Sequence, residues 1–163
     1  MCAAEHRNNT VHVLALRTHN LLKMKGHIMK YTTFTPEETA KLGAEFAAKL
    51  QKGDTVCLDG EMGAGKTVFV QGCAKALGYK DAVTSPTFTL CNEYITDEFK
   101  ILHYDLYRIM DEDDLFSVGF YDNDGDIVFV EWAGNADITD RKCIHLKFAY
   151  GSGDNERNIE IPD

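Results

Sequence analysis

Read as alternating apolar and polar positions, the chain from residue 31 onward divides into short elements. Tyr31 to Phe34 suits a short edge strand, and the fold is expected to begin there. Thr35-Pro36-Glu37-Glu38 is a helix start, with Thr as N-cap, Pro at the first helical position and Glu three residues after the cap. Ala40, Gly43, Ala44, Ala47 and Leu50 then recur at helical spacing and predict the inner face. Thr55 to Leu58, set between Gly53 and Gly60, predicts a buried strand. Val68 to Leu77 predicts a helix, stopped by Gly78. Asp81 to Pro86 is a loop. Thr87 to Ile95 and Phe99 to Leu106 read as an antiparallel hairpin. Asp111 to Ser117 is acidic at its front, as a short helix prefers. A turn at Asp122 to Asp126 leads into Ile127 to Val130, apolar throughout and so a buried strand. Lys142 to Tyr150 and Asn158 to Ile161 form a last hairpin around Gly151 to Asp154.

One junction between these elements carries chemistry. Gly60 to Thr67 reads G-x-x-x-x-G-K-T, the phosphate-binding loop, and it lies between a strand and a helix as that motif requires. Glycines let the backbone curl so that successive N–H groups line one concave face. The helix start behind them favours an anion. The loop residues Glu61, Met62, Gly63, Ala64 and Gly65, with Val68 after it, would cradle phosphate. Lys66 supplies charge for the outer phosphates, and Thr67 a hydroxyl for Mg²⁺.

Such a loop needs acids on neighbouring strands to hold the metal and orient water. Two acids end apolar strands, Asp105 after Ile101-Leu102-His103-Tyr104 and Glu131 after Ile127 to Val130. The ends of buried strands are where open α/β sheets present ligand groups. Ser85-Pro86-Thr87 places hydroxyls beside a rigid proline, as phosphate-sensing segments do. Trp132, the only tryptophan, suits either the nucleotide or the core. His103 reads as structural. Asp122-Asn123-Asp124-Gly125 imitates a calcium loop, but Phe120 stands where the first ligand belongs, so calcium is not expected.

Composition narrows the class. A 163-residue chain with 44% hydrophobic and 26% charged residues is an ordinary single domain. Its cysteines, at 2, 57, 73, 91 and 143, show neither a C-x-x-C pair nor metal-ligand spacing, which predicts packed, reduced thiols and a cytoplasmic protein. No apolar run is long enough to span a membrane. Residues 1–30 hold five Lys or Arg and one acid, about +4, so the remainder carries −9 − (+4) = −13. They read as a loose extension, with residues 31–163 as the domain. An acidic body argues against nucleic-acid binding by this chain alone. After residue 30 only Arg108, Arg141 and Arg157 supply guanidinium groups, few for a kinase that must hold two phosphate-bearing substrates. A small-molecule P-loop kinase stays the alternative, and a nucleotide-gated binding module a third reading.

Gly60 to Thr67, Ser85-Pro86-Thr87-Phe88-Thr89-Leu90, His103-Tyr104-Asp105-Leu106-Tyr107-Arg108 and Val130-Glu131-Trp132 occur together in the order and spacing of one family. From about Tyr31 to Tyr150 the chain strongly resembles the bacterial TsaE (YjeE) family. The resemblance implies an α/β fold, a P-loop NTPase-type three-layer sandwich whose mixed sheet includes antiparallel hairpins. It also implies an ATPase that uses ATP and Mg²⁺ and acts with the TsaD and TsaB proteins in tRNA threonylcarbamoyladenosine synthesis, touching tRNA only through that complex. Carried over residue by residue, Lys66 and Thr67 bind phosphate and metal, and Asp105 and Glu131 support metal and hydrolysis. Thr87 belongs to a switch-like segment, and Trp132 lies near the nucleotide.

Overall fold

The computed structural model describes residues 27–98, 100–123, 126–136, 138 and 142–163. Most of the expected extension therefore lies outside the described residues. Its last part does not. The first strand, β1, spans Ile28–Thr33 and begins three residues before Tyr31. Isoleucine and methionine at its start pair with the chain's last strand, β7 (Arg157–Pro162), with Ile28 opposite Pro162 and Met29 opposite Ile161. The sequence could not show that partner, which lies at the other end of the chain.

Helix α1, Pro36–Ala47, starts as expected, with Thr35 accepting from the Glu38 N–H at 3.2 Å. Its buried face is Thr39, Leu42, Gly43, Phe46 and Ala47, rotated from the expected set. The small residues suggested the wrong stripe because Ala40 faces the neighbouring helix, where backbones nearly touch, while Leu42 and Phe46 carry the apolar load. Strand β2 is Thr55–Asp59 and helix α2 is Lys66–Ala76. β3, Cys91–Ile95, is antiparallel to β4, Lys100–Asp105. The expected strand from Thr87 is shorter by four residues. Leu90 donates its N–H to the Pro86 carbonyl at 2.7 Å and sits at φ 65°, so residues 87–90 turn rather than extend. Helix α3 is Glu112–Ser117, β5 is Ile127–Glu131 and β6 is Cys143–Tyr150.

The seven strands form one mixed sheet in the order β1-β7-β6-β2-β5-β4-β3. The four inner strands run parallel, and antiparallel partners close both sides. Helices α1 and α2 cover one face, where Phe69 packs between Phe46, tilted against it, and Phe148, edge-on to it, with ring centroids 5.5 and 5.4 Å apart. Burying a side chain such as Phe69, which is fully enclosed, contributes about 1.5–3 kcal/mol. The other face carries Tyr104, Leu106, Leu115, Phe120 and Val130, and among the described residues the six-residue α3, a short 3-10 turn at Ala133–Asn135 and loops form that layer. Gly43 and Gly72 let α1 and α2 meet. A Cβ on Gly72 would lie 1.8 Å from the Ala40 carbonyl oxygen, and one on Gly43 would lie 2.2 Å from that of Phe69.

Candidate functional site

The 60–67 loop follows β2 and leads into α2. Gly63 and Gly65 sit at φ 76° and 100°, left-handed positions that side chains resist. α1 and α3 are capped by Thr35 and Asp111, whereas no side chain caps α2 at Gly65. The start of α2 is thus built from bare N–H groups and a dipole that favour an anion.

Strand alternation delivers the acids. On β4 it puts His103 and Asp105 on the face that carries α2, and on β5 it does the same for Phe129 and Glu131. In the parallel register Asp105 stands opposite Glu131 and His103 opposite Phe129. Both acids are at least 95% buried. The Glu131 carboxylate accepts from Thr67 Oγ1 at 3.0 Å and lies 2.9 Å from His103 Nε2 and 3.8 Å from Lys66 Nζ. A carboxylate only accepts, so Nε2 carries the proton of that contact. Burial alone would raise the Glu131 carboxyl. The His103 contact, the Lys66 charge and the Thr67 hydroxyl outweigh it, so the group stays below the usual carboxylate range. Asp105 accepts from Thr87 Oγ1 at 2.7 Å and from the Tyr107 N–H at 2.9 Å.

Lys66 is buried. Its ammonium donates to the carbonyls of Gly60 and Glu61 at 2.8 and 2.9 Å, and lies 5.0 Å from the ring centre of Trp132. Burial pulls its proton affinity below the usual lysine range, although Glu131, Asp105 and Asp59 pull the other way. Trp132 sits at φ 58°, with the Tyr107 ring tilted against it and its centre 5.2 Å away. A non-glycine residue there costs on the order of 1–3 kcal/mol and clusters at functional sites.

These groups enclose a cavity of about 180 Å³, lined by Met62, Gly63, Gly65, Lys66, Thr67, Val68, Ser85, Thr87, Asp105, Glu131 and Trp132. Thus most of the expected residues line one space. Glu61 and Ala64 do not. Glu61 gives its carbonyl to Lys66, and Ala64 is buried in the core. A larger open depression of about 820 Å³, along Gln71 to Val83, contains neither the loop nor the acid pair, so the chemistry belongs to the smaller one. The donor set facing it, a threonine hydroxyl with two carboxylates, is all oxygen and hard, which fits Mg²⁺.

Two features were not expected from the sequence. His103 is fully buried and ties Glu131 to Tyr94, whose hydroxyl lies 3.3 Å from Nδ1 and donates to the Thr84 carbonyl at 2.9 Å. Its place two residues before Asp105 was a signal, since strand alternation puts both on one face. Cys57, Cys143 and His145 also come together, with ligand atoms within 4.8 Å of one another, which no local spacing announces.

The fold and site define a mixed α/β protein with a G-x-x-x-x-G-K-T loop facing two in-register acids, the residue pattern of a phosphate-binding loop. Comparison with known proteins narrows that class. Residues 33–159 match the model of the family described as threonylcarbamoyl adenosine biosynthesis protein TsaE. The chain is 42% identical over 127 residues to the tRNA threonylcarbamoyladenosine biosynthesis protein TsaE of Aquifex aeolicus, covering 77% of this chain and 89% of that one. It is 37% identical over 134 residues to that of Bacillus subtilis, covering 80% and 83%. A crystal structure of Bacillus subtilis YdiB superposes with a TM-score of 0.62 at 33% identity, covering 83% of this chain and 84% of that one. The chain belongs to the TsaE family. Among the described residues no helix is long and apolar enough to cross a membrane.

Proposed function

We propose that this chain is a P-loop ATPase, the Mg²⁺-dependent ATP-binding and hydrolysing component of tRNA threonylcarbamoyladenosine synthesis, acting with TsaB and TsaD. The observation that carries this reading is the convergence of Lys66, Thr67, Asp105 and Glu131 on one small cavity at the start of α2. The loop N–H groups and Lys66 bind and orient the phosphates. Thr67, Asp105 and Glu131 would hold Mg²⁺, which when bound neutralises charge on the transferring phosphoryl group. Glu131, kept anionic by its partners, is placed to orient a water and accept its proton. Asp105 holds Thr87 and so couples the 85–87 segment to the same cavity. Trp132 lies against the Lys66 ammonium and would offer a ring to the nucleotide.

At about 180 Å³ the cavity has room for the phosphate end of a nucleotide, and among its described lining residues it has one cation, Lys66. That disfavours a kinase with a second anionic substrate. A partner protein as the recipient of the hydrolysis cycle fits better. Phe88, next to Thr87 in the chain, and Met62, which lines the cavity, leave 88% and 61% of their surfaces exposed, as partner contacts do. The acidic charge disfavours tRNA binding by the chain alone.

The test is a titration against a TsaB–TsaD complex with an ATP analogue, with ADP and without nucleotide, alongside phosphate release. Tighter association with the analogue and faster release in the complex are expected. Equal affinity in all three would reject the nucleotide switch, no association would reject the pathway, and a phosphorylated metabolite would favour the kinase.

A further inference from the structure

Cys57, Cys143 and His145 are distant in sequence and adjacent in the sheet. β2 and β6 run parallel, with Cys57 opposite His145 and Thr55 opposite Cys143. Alternation therefore puts Cys57 and Asp59 on one face of β2, and Cys143 and His145 on the same face of β6. Cys57 and Cys143 both belong to the apolar cluster on the face away from α1 and α2, so the group is separate from the phosphate cavity. The two sulfurs and an imidazole nitrogen all lie within 4.8 Å of one another, and no disulfide joins the cysteines. Tetrahedral zinc with Zn–S bonds of about 2.3 Å sets its sulfurs roughly 3.8 Å apart, so the group needs little contraction.

The surroundings suit a metal as well. Burial grades outward, from Cys57 in the core through half-buried Cys143 to exposed His145, which gives an ion a way in. The His145 Nδ1 lies 3.1 Å from the Asp59 carboxylate. That contact fixes the tautomer with Nδ1–H toward Asp59 and leaves a lone pair on Nε2, as the outer partner of a zinc-bound histidine does.

We propose that Cys57, Cys143 and His145 form a zinc site, with Asp59 as the outer partner of His145 and water as the fourth ligand. Two thiolates and an imidazole select a soft or borderline ion over Mg²⁺, which takes hard oxygen ligands. Binding releases both thiol protons and leaves the ion bonded to two sulfurs and one nitrogen. Because Asp59 immediately precedes Gly60, the site would brace β2 against β6 at the entry to the phosphate loop.

The probe is Co²⁺, titrated into the reduced full chain and then displaced by Zn²⁺. One Co²⁺ per chain, with tetrahedral visible bands and a thiolate-to-cobalt charge-transfer band, is expected, together with a melting temperature that rises with Zn²⁺ and falls again with chelator. Cys143→Ser and His145→Ala should lose the charge-transfer band, and Asp59→Asn should weaken affinity roughly 10–100-fold. Cys2→Ser, which removes a thiol far away in sequence, should leave the band unchanged. His145 is exposed, so its variant keeps the test usable if Cys143→Ser fails to fold. No charge-transfer band, a band that survives His145→Ala, a band lost in Cys2→Ser, or ready oxidation to a Cys57–Cys143 disulfide without cobalt binding would each overturn the proposal.

Discussion

Asp105 and Glu131 stand on one rung of the sheet, opposite each other on neighbouring parallel strands, yet they hold different parts of the molecule. Asp105 receives Thr87 and the Tyr107 N–H. Glu131 receives Thr67 and His103, with Lys66 at 3.8 Å. One acid is thus tied to the 85–87 segment and the other to the phosphate loop. Their spacing is fixed by the strand ladder rather than by flexible loops, which keeps the site ordered at little further entropic cost.

Both acids should be needed for hydrolysis. Asp105→Asn and Glu131→Gln each keep the shape of the side chain and most of the nucleotide affinity, and each should lose most Mg²⁺-dependent hydrolysis. Thr87→Val should resemble Asp105→Asn more than Glu131→Gln, because it removes the contact held by Asp105. Phosphate release measured on all three decides it. Parent-like turnover in either acid variant would leave that acid a structural role only.

Lys66→Ala should weaken ATP binding by about 10–150-fold, from the loss of charge-assisted hydrogen bonds of about 1.5–3 kcal/mol. The lysine is also buried against the Gly60 and Glu61 carbonyls, so the melting temperature should fall as well. Calorimetry separates the two effects. Unchanged ATP affinity would remove the loop from the function.

His103→Leu preserves bulk at a fully buried position and removes the proton that Nε2 gives to Glu131. Turnover should drop while KM for ATP stays close to the parent, since the ring touches the acid and not the cavity. Stability should fall by about 1–3 kcal/mol, the cost of an unsatisfied buried partner. A raised KM with unchanged kcat would assign the ring to nucleotide binding instead.

Gly72→Ala tests the packing of the helices. The new methyl meets the Ala40 carbonyl, so α1 must move away from α2, at a cost of about 1–3 kcal/mol or more. Urea unfolding reads that difference directly. A variant as stable as the parent would show that the two helices can slide apart freely.

The local physics of the sequence determined the elements and the anion loop. A capped start at Thr35, a glycine-rich turn after Thr55 to Leu58 and an apolar run ending at Glu131 each act within a few residues, so they can be read without a partner. The same is true of the acids at strand ends. What the tertiary structure alone decided depends on register between distant strands. β1 begins at Ile28 because the far end of the chain pairs with it. The buried face of α1 was set by how closely Gly43 and Gly72 bring two helices together, not by α1's own periodicity. His103 became the partner of Glu131 because β4 lies beside β5, and Cys57 met Cys143 and His145 because β6 lies beside β2. Residue spacing along a chain fixes which face a side chain takes, but only the order and offset of the strands fix what it faces.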